Sequence, residues 1–321
     1  MNESSNSNVT MQVKTVVTFI QLIVVFIFLY STVSLQFSLT SLLSGTTLLG
    51  FFFLRVFDRN SIKNHTPEVA NPFKGKPRIK QPPVDNADEI DRQISEYVTY
   101  DATDNITLNN FNVIKENTPC IFAKRSKIWG SKDWDEHLGL EENIFRSLPT
   151  FYKFILSCEI LGLDGFVFEL PGEEYCDDIQ VFAKSVKRVL KVISNNDPEH
   201  GRSLQKSYID KRGWVFEYNK MTMFITTFAP FYPRTNSRYS FCSANGFILF
   251  QPELSFAQHD LPPDTPHTDW NEPKTIRDRI RIAFKEAGQE YNIPETIYYP
   301  MAHDIVKPIK HGDSVIEWWN T

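Results

Sequence analysis

Between Lys14 and Arg55 the chain runs for forty residues without one Asp, Glu, Lys or Arg. A spanning helix needs about 20 mostly apolar residues to cross a hydrocarbon core of roughly 30 Å, because in lipid every backbone amide must bond within its own helix. Forty residues therefore suffice for two crossings. The first, 15–34, is dense in Val, Ile, Phe and Leu and includes Val24-Val25-Phe26-Ile27-Phe28-Leu29. The second, 37–54, ends in Phe51-Phe52-Phe53-Leu54 but is diluted by Ser38, Thr40, Ser41, Ser44, Gly45, Thr46 and Thr47. A re-entrant or interfacial segment is its alternative. The pattern predicts a disordered tail over 1–14, then a transmembrane helical hairpin within 15–55, turning near Ser34-Leu35-Gln36. A cleaved signal peptide competes, yet this apolar region far exceeds the roughly 7–15-residue core of such leaders.

The flanks set the expected orientation. Arg55, Arg59, Lys63, Lys74, Lys76, Arg78 and Lys80 follow the apolar region, whereas Lys14 alone precedes it closely. The positive-inside bias places the downstream side in the cytosol. Asn-x-Ser/Thr patterns at Asn2, Asn8, Asn64 and Asn105 point the other way, but so short a pattern recurs by chance. The expectation is an integral membrane protein with a cytosolic body and the lipid bilayer as a partner.

Residues 56–84 carry Pro67, Pro72, Pro77, Pro82 and Pro83 among basic and polar residues, the composition of a proline-stiffened tether that can rest on anionic headgroups. The remainder, 85–321, is long enough for one large domain. With 41% hydrophobic and 23% charged residues the chain can bury a core, which excludes a mainly disordered protein. A net charge of -5 gives no reason to expect nucleic acid as a partner. Cys120, Cys158, Cys176 and Cys242 are too scattered for a disulfide scaffold or a CxxC zinc site.

Apolar periodicity predicts helices over 88–97, 150–161, 177–193 and 275–287, and strands over 165–170, 214–218, 221–228 and 246–251. Asn219-Lys220 reads as a hairpin turn between the second and third strands. Hairpin-linked strands among grouped helices predict an α+β fold with an antiparallel or mixed sheet and surrounding helices.

No GxSxG, HExxH, GxxxxGK[ST] or GxGxxG motif is present, which removes the usual starting points for serine hydrolases, zinc proteases and nucleotide hydrolases. The stretch from Phe228 to Tyr239 gathers aromatics with Arg234 and Arg238 on a proline-stiffened loop after a strand, a place where binding groups tend to sit. A packing loop is the alternative. Next come His259, Asp260, Asp264, His267 and Asp269, two imidazoles and three carboxylates in eleven residues. Imidazole ligates iron or moves a proton, and a carboxylate on its other nitrogen fixes the tautomer. An exposed polar loop with cap aspartates is the alternative. His267-x-Asp269, with His303 as a distant third ligand, also fits a two-histidine, one-carboxylate iron site. Arg277 and Arg281 share a helix face and can pair with anionic groups, or be solvated. Cys120 can supply a thiolate to iron or be an inert buried thiol.

The order Pro119-Cys120, Val167-Phe168, Tyr232-Pro233-x-x-Asn236-Ser237-Arg238 and Phe250-Gln251-Pro252-x-x-x-Phe256 resembles the YqcI/YcgG family. The resemblance extends from about Asn109 to Trp319. Members of that family include haem-dependent oxygenases that N-hydroxylate guanidine-bearing amino acids. It implies haem b as cofactor and a small guanidine- or amine-bearing cationic substrate. Haem-binding members carry a histidine before the proline of the first loop and another after that of the second. This chain has Tyr232 and Glu253 there. His259 is then the expected axial ligand, with Tyr232 or Cys120 as substitutes. Arg238 and Arg277 are the expected partners of anionic groups, and Glu253 or Asp260 the carboxylate that orients the substrate nitrogen. The alternatives are a non-catalytic, membrane-tethered binding domain with the family fold, and a non-haem iron oxygenase using His267, Asp269 and His303.

Overall fold

A computed structural model describes residues 92, 94–259, 268–291 and 300–321. The expected tail, membrane hairpin (15–55) and tether (56–84) lie outside the described residues, as does half of the expected helix over 88–97. Among the described residues no helix is long and apolar enough to cross a membrane.

The described part is an α+β domain built on a five-stranded mixed sheet. The strands are β1 (Ile128–Gly130), β2 (Gly165–Leu170), β3 (Phe216–Tyr218), β4 (Met221–Phe228) and β5 (Gly246–Pro252), in the order β1-β2-β5-β4-β3. β1 and β2 are parallel and the other pairs antiparallel. Seven helices surround the sheet: α1 (Ile106–Asn117), α2 (Leu140–Leu161), α3 (Gly172–Tyr175), α4 (Ile179–Asn195), α5 (Glu253–Gln258), α6 (Ile276–Glu286) and α7 (Ala302–Ile305). The β3–β4 turn is Asn219-Lys220 as the sequence predicts. Both residues have positive φ, 51° and 62°, the backbone twist that a two-residue hairpin demands.

One element is longer than its sequence pattern predicts. The helix expected to begin after Pro149 instead begins at Leu140 and carries Pro149 inside it. Proline removes one backbone donor there, but the stripe Leu140, Ile144, Leu148, Phe151, Ile155 and Cys158 continues unbroken across it, and every member is buried. Glu142 also accepts from the Gly139 amide, which secures the first turn. Burial of the stripe outweighs the lost bond. The helix ends where Gly162 takes a left-handed conformation with φ 60°.

Alternation along the strands divides the side chains between two faces. Phe166, Phe168, Ile225, Ile248 and Phe250 face α2 and α4 and form the main core. Phe151 lies at its centre, with ring centroids 4.9 to 6.1 Å from Phe154, Phe166, Phe168, Tyr218 and Phe250. On the opposite face Val167, Phe228, Phe247 and Leu249 pack with Phe111 and Ile114 of α1. α1 covers only part of that face.

Candidate functional site

A cavity of about 530 Å³ occupies the rest of the second face. Thr222, Phe224, Thr226 and Phe228 of β4, with Leu249 and Gln251 of β5, form its floor. α1 and the segment after it supply one wall, through Phe111, Ile114, Cys120 and Phe122. α5 and the residue after it supply another, through Glu253, Ser255, Phe256 and His259. Arg277, Ile280 and Phe284 of α6 lie across from the floor. The volume falls within the range of small-molecule sites, and the lining is largely aromatic with a few polar groups.

The register of the sheet builds the cavity's polar corner. Phe166 stands opposite Phe250 in the antiparallel β2–β5 pair, so the residue entering β2 lies beside the residues leaving β5. That residue is Asp164, and those leaving include Ser255 and His259. His259 Nε2 is 2.6 Å from Asp164 Oδ1, and Ser255 Oγ donates to the same oxygen at 2.8 Å. β1 joins from the other side: Ile128 pairs with Gly165, and the Lys127 amide donates to Asp164 Oδ2 at 2.8 Å. Asp164 is thus a nearly buried carboxylate with three donors, its side chain 8% exposed, while the His259 side chain is 40% exposed. The carboxylate fixes the imidazole so that Nε2 carries the proton and Nδ1 is left as the acceptor. Phe122 packs against the ring at 5.4 Å.

Five of the sequence-predicted residues, Cys120, Arg238, Glu253, His259 and Arg277, come together in this lining. Burial pushes the Cys120 thiol up, which keeps it protonated rather than thiolate. Arg238 is buried and donates to the Asp304 carbonyl at 2.8 Å, and the Asp304 carboxylate takes Lys307 at 3.1 Å. Lys115, Arg212, Arg238, Arg277 and Lys307 face the cavity against Asp164, Glu253 and Asp304, so cationic groups outnumber carboxylates in its wall.

The other sequence-predicted residues are placed elsewhere. Tyr232 is 1% exposed in the main core and its hydroxyl donates to the Lys307 carbonyl at 2.7 Å. Burial raises the phenol well above its ordinary value, which opposes the phenolate an iron ligand would need. The loop that carries Tyr232 is therefore divided. Its first half packs, Asn236 straps it to the Pro308 and Ile309 carbonyls, and Ser237 and Arg238 reach the cavity. Arg281 donates to Thr268 rather than entering the cavity wall. Asp269 accepts from the Glu272 amide, and His303 stacks on Trp319 at 5.5 Å. Asp260 and His267 lie outside the described residues. Among the described residues no group of three or more His, Cys, Asp or Glu side chains is placed to hold a metal ion.

Sequence reading missed Asp164, the residue that orients His259. It stands 95 positions away and only strand pairing brings it near. Phe224, Thr226 and Gln251 were missed as site residues because alternation within a strand does not say which face is covered. No model of a known protein family matches the chain, and no curated protein or solved structure matches it.

Proposed function

We propose that the chain is a divergent, membrane-anchored member of the YqcI/YcgG family, a haem-dependent oxygenase that N-hydroxylates a small guanidine- or amine-bearing substrate in the cavity against β4 and β5. One observation carries the reading: a carboxylate-backed histidine, His259 on Asp164, borders an aromatic cavity whose wall is rich in cations. Metal-ligating histidines characteristically give their other ring N–H to a carboxylate, which raises the basicity of the ligating nitrogen. Phe111, Phe122, Phe224, Phe228, Phe256 and Phe284 offer flat apolar surface to a porphyrin, and Arg277 and Arg238 offer charge to its carboxylates. When bound, the iron porphyrin supplies oxygen activation. The chain's own residues hold and orient. His259 presents Nδ1, Asp164 keeps the Nε2 proton, the phenylalanines exclude water, and Glu253 attracts a cationic substrate nitrogen from its exposed position.

Haemin titrated into the full-length protein in detergent tests this. The expected result is a saturable, stoichiometric Soret band, lost in His259→Ala and shifted in Asp164→Asn. A protein that gives no saturable band overturns the proposal. A second reading is favoured by the geometry of the ring: Asp164 takes Nε2, so the nitrogen left for iron is Nδ1, next to the side chain's own Cβ. On that reading the domain is a non-catalytic binding module for an amphipathic anion. Equal affinity for haemin and metal-free protoporphyrin, unchanged by His259→Ala, would select it.

A further inference from the structure

The polar corner of the cavity lies at one end of the sheet, where the segment after α1, the C-terminus of α2 and the end of α5 meet. Lys127 Nζ donates to the Leu161 carbonyl at 3.1 Å, and Gln258 donates to the Glu159 carbonyl at 3.3 Å. These bonds fix the three pieces around the Phe122–His259 contact. The side chains they carry outward are unusual for a water-facing rim. Ile160 is 84% exposed, Leu161 49% and Ile121 43%, three of the seven large apolar residues that stand exposed among the described residues. Exposed cations stand beside them, Lys124, Arg125 and Lys127, with Glu159 the acidic neighbour on the same helical turn. Isolated exposed apolar side chains need no explanation, but three on segments tied together beside the cavity-lining Phe122 and His259, flanked by basic groups, have the composition of a surface that seats in a lipid interface.

We propose that this rim docks onto an anionic bilayer surface, with Ile121, Ile160 and Leu161 entering the headgroup layer and Lys124, Arg125 and Lys127 pairing with lipid phosphates, so that the polar corner of the cavity faces the membrane. Charge complementarity selects lipid over an apolar protein groove: basic groups close to an apolar tip gain from the negative potential of an anionic leaflet. The docking stands independently of whether the cavity holds haem, and its test reads position at the membrane rather than spectrum or activity.

The test uses the full-length chain reconstituted into vesicles, with Cys120→Ala and Cys242→Ala in the background and a bimane label at Ile160→Cys. Ile106→Cys, at the far end of α1 and roughly 16 Å along its axis from the rim segment, is the control. With brominated acyl chains in vesicles containing phosphatidylserine, the label at 160 is expected to be quenched at least about twofold more than the label at 106. Lys124→Glu, Arg125→Glu and Lys127→Glu together are expected to abolish that difference, as is replacement of phosphatidylserine by phosphatidylcholine. Equal quenching at the two positions overturns the proposal. So does quenching at 160 that survives charge reversal, or protection of that label by self-association without any quenching by lipid.

Discussion

The residue that gathers most in the candidate site is Asp164, because three backbone and side-chain donors converge on a carboxylate that almost no water reaches. A second buried carboxylate, Glu169, lies within β2. Two amides, from Asn110 and Asn245, donate to its Oε1 at 2.7 and 2.6 Å. Burial still raises its carboxyl above the ordinary value of 4.5, outweighing those bonds. A carboxyl raised by folding stabilises the protein fully below its unfolded value, and that contribution is lost as pH rises through its folded value. Denaturant titrations of wild type and Glu169→Gln should therefore show wild type losing ground to the variant as pH rises above the ordinary carboxyl value of 4.5. A difference that does not change with pH would refute the assignment. Neither carboxylate was recognisable in the sequence as special. Asp164 reads as a residue between a helix and a strand, and Glu169 interrupts an otherwise apolar run. What makes each of them matter is who stands opposite in the sheet, and a local pattern does not carry that information.

At the scale of elements, the strands were legible because turns and alternation mark their ends. β2 and β4 fall where the pattern predicts, and the Asn219-Lys220 turn has the backbone the dipeptide position implies. α2 was half-legible: Pro149 is a strong local stop signal, and only the continuity of the buried stripe beneath it shows that the helix runs through. The hairpin offers a direct check. Lys220 adopts φ 62°, a region that costs a non-glycine residue roughly 1 kcal/mol and that glycine enters freely. Its ion pair with Glu199 leaves the lysine side chain 67% exposed and contributes little. Lys220→Gly should raise stability by about 0.5–1 kcal/mol, read as a higher denaturant midpoint with unchanged slope. A lower midpoint would mean that the lysine contacts outweigh the turn strain.

At the scale of the whole molecule, the candidate site was legible as a set of residue types but not as a place. Five of the proposed residues converge on one cavity, yet the tyrosine of the same loop turns into the core and hands its hydroxyl to Lys307. The aromatic loop was a sound pointer for Arg238 and a poor one for Tyr232, since both lie on one short stretch whose two sides face different volumes. The uncharged N-terminal stretch carries its own prediction. The full-length chain should stay with washed membranes through alkaline carbonate and be released when residues 15–54 are deleted, as judged by sedimentation of both forms. Release of the intact chain would remove the anchor and the orientation argued from Arg55 to Lys80.

The sheet order sets a timetable for all of this. Among the described residues β5 is the last strand to leave the ribosome, yet it is wedged between β2 and β4, and α5 with the Ser255–His259 end of the site follows it directly. Until residue 252 has been synthesised β2 and β4 have no common neighbour, and until residue 259 Asp164 has no imidazole beside it. A nascent chain halted before β5 is thus a split sheet with two raw edges, the kind of intermediate on which chaperones act. The floor of the cavity, shared by β4 and β5, is therefore complete only once β5 has been made.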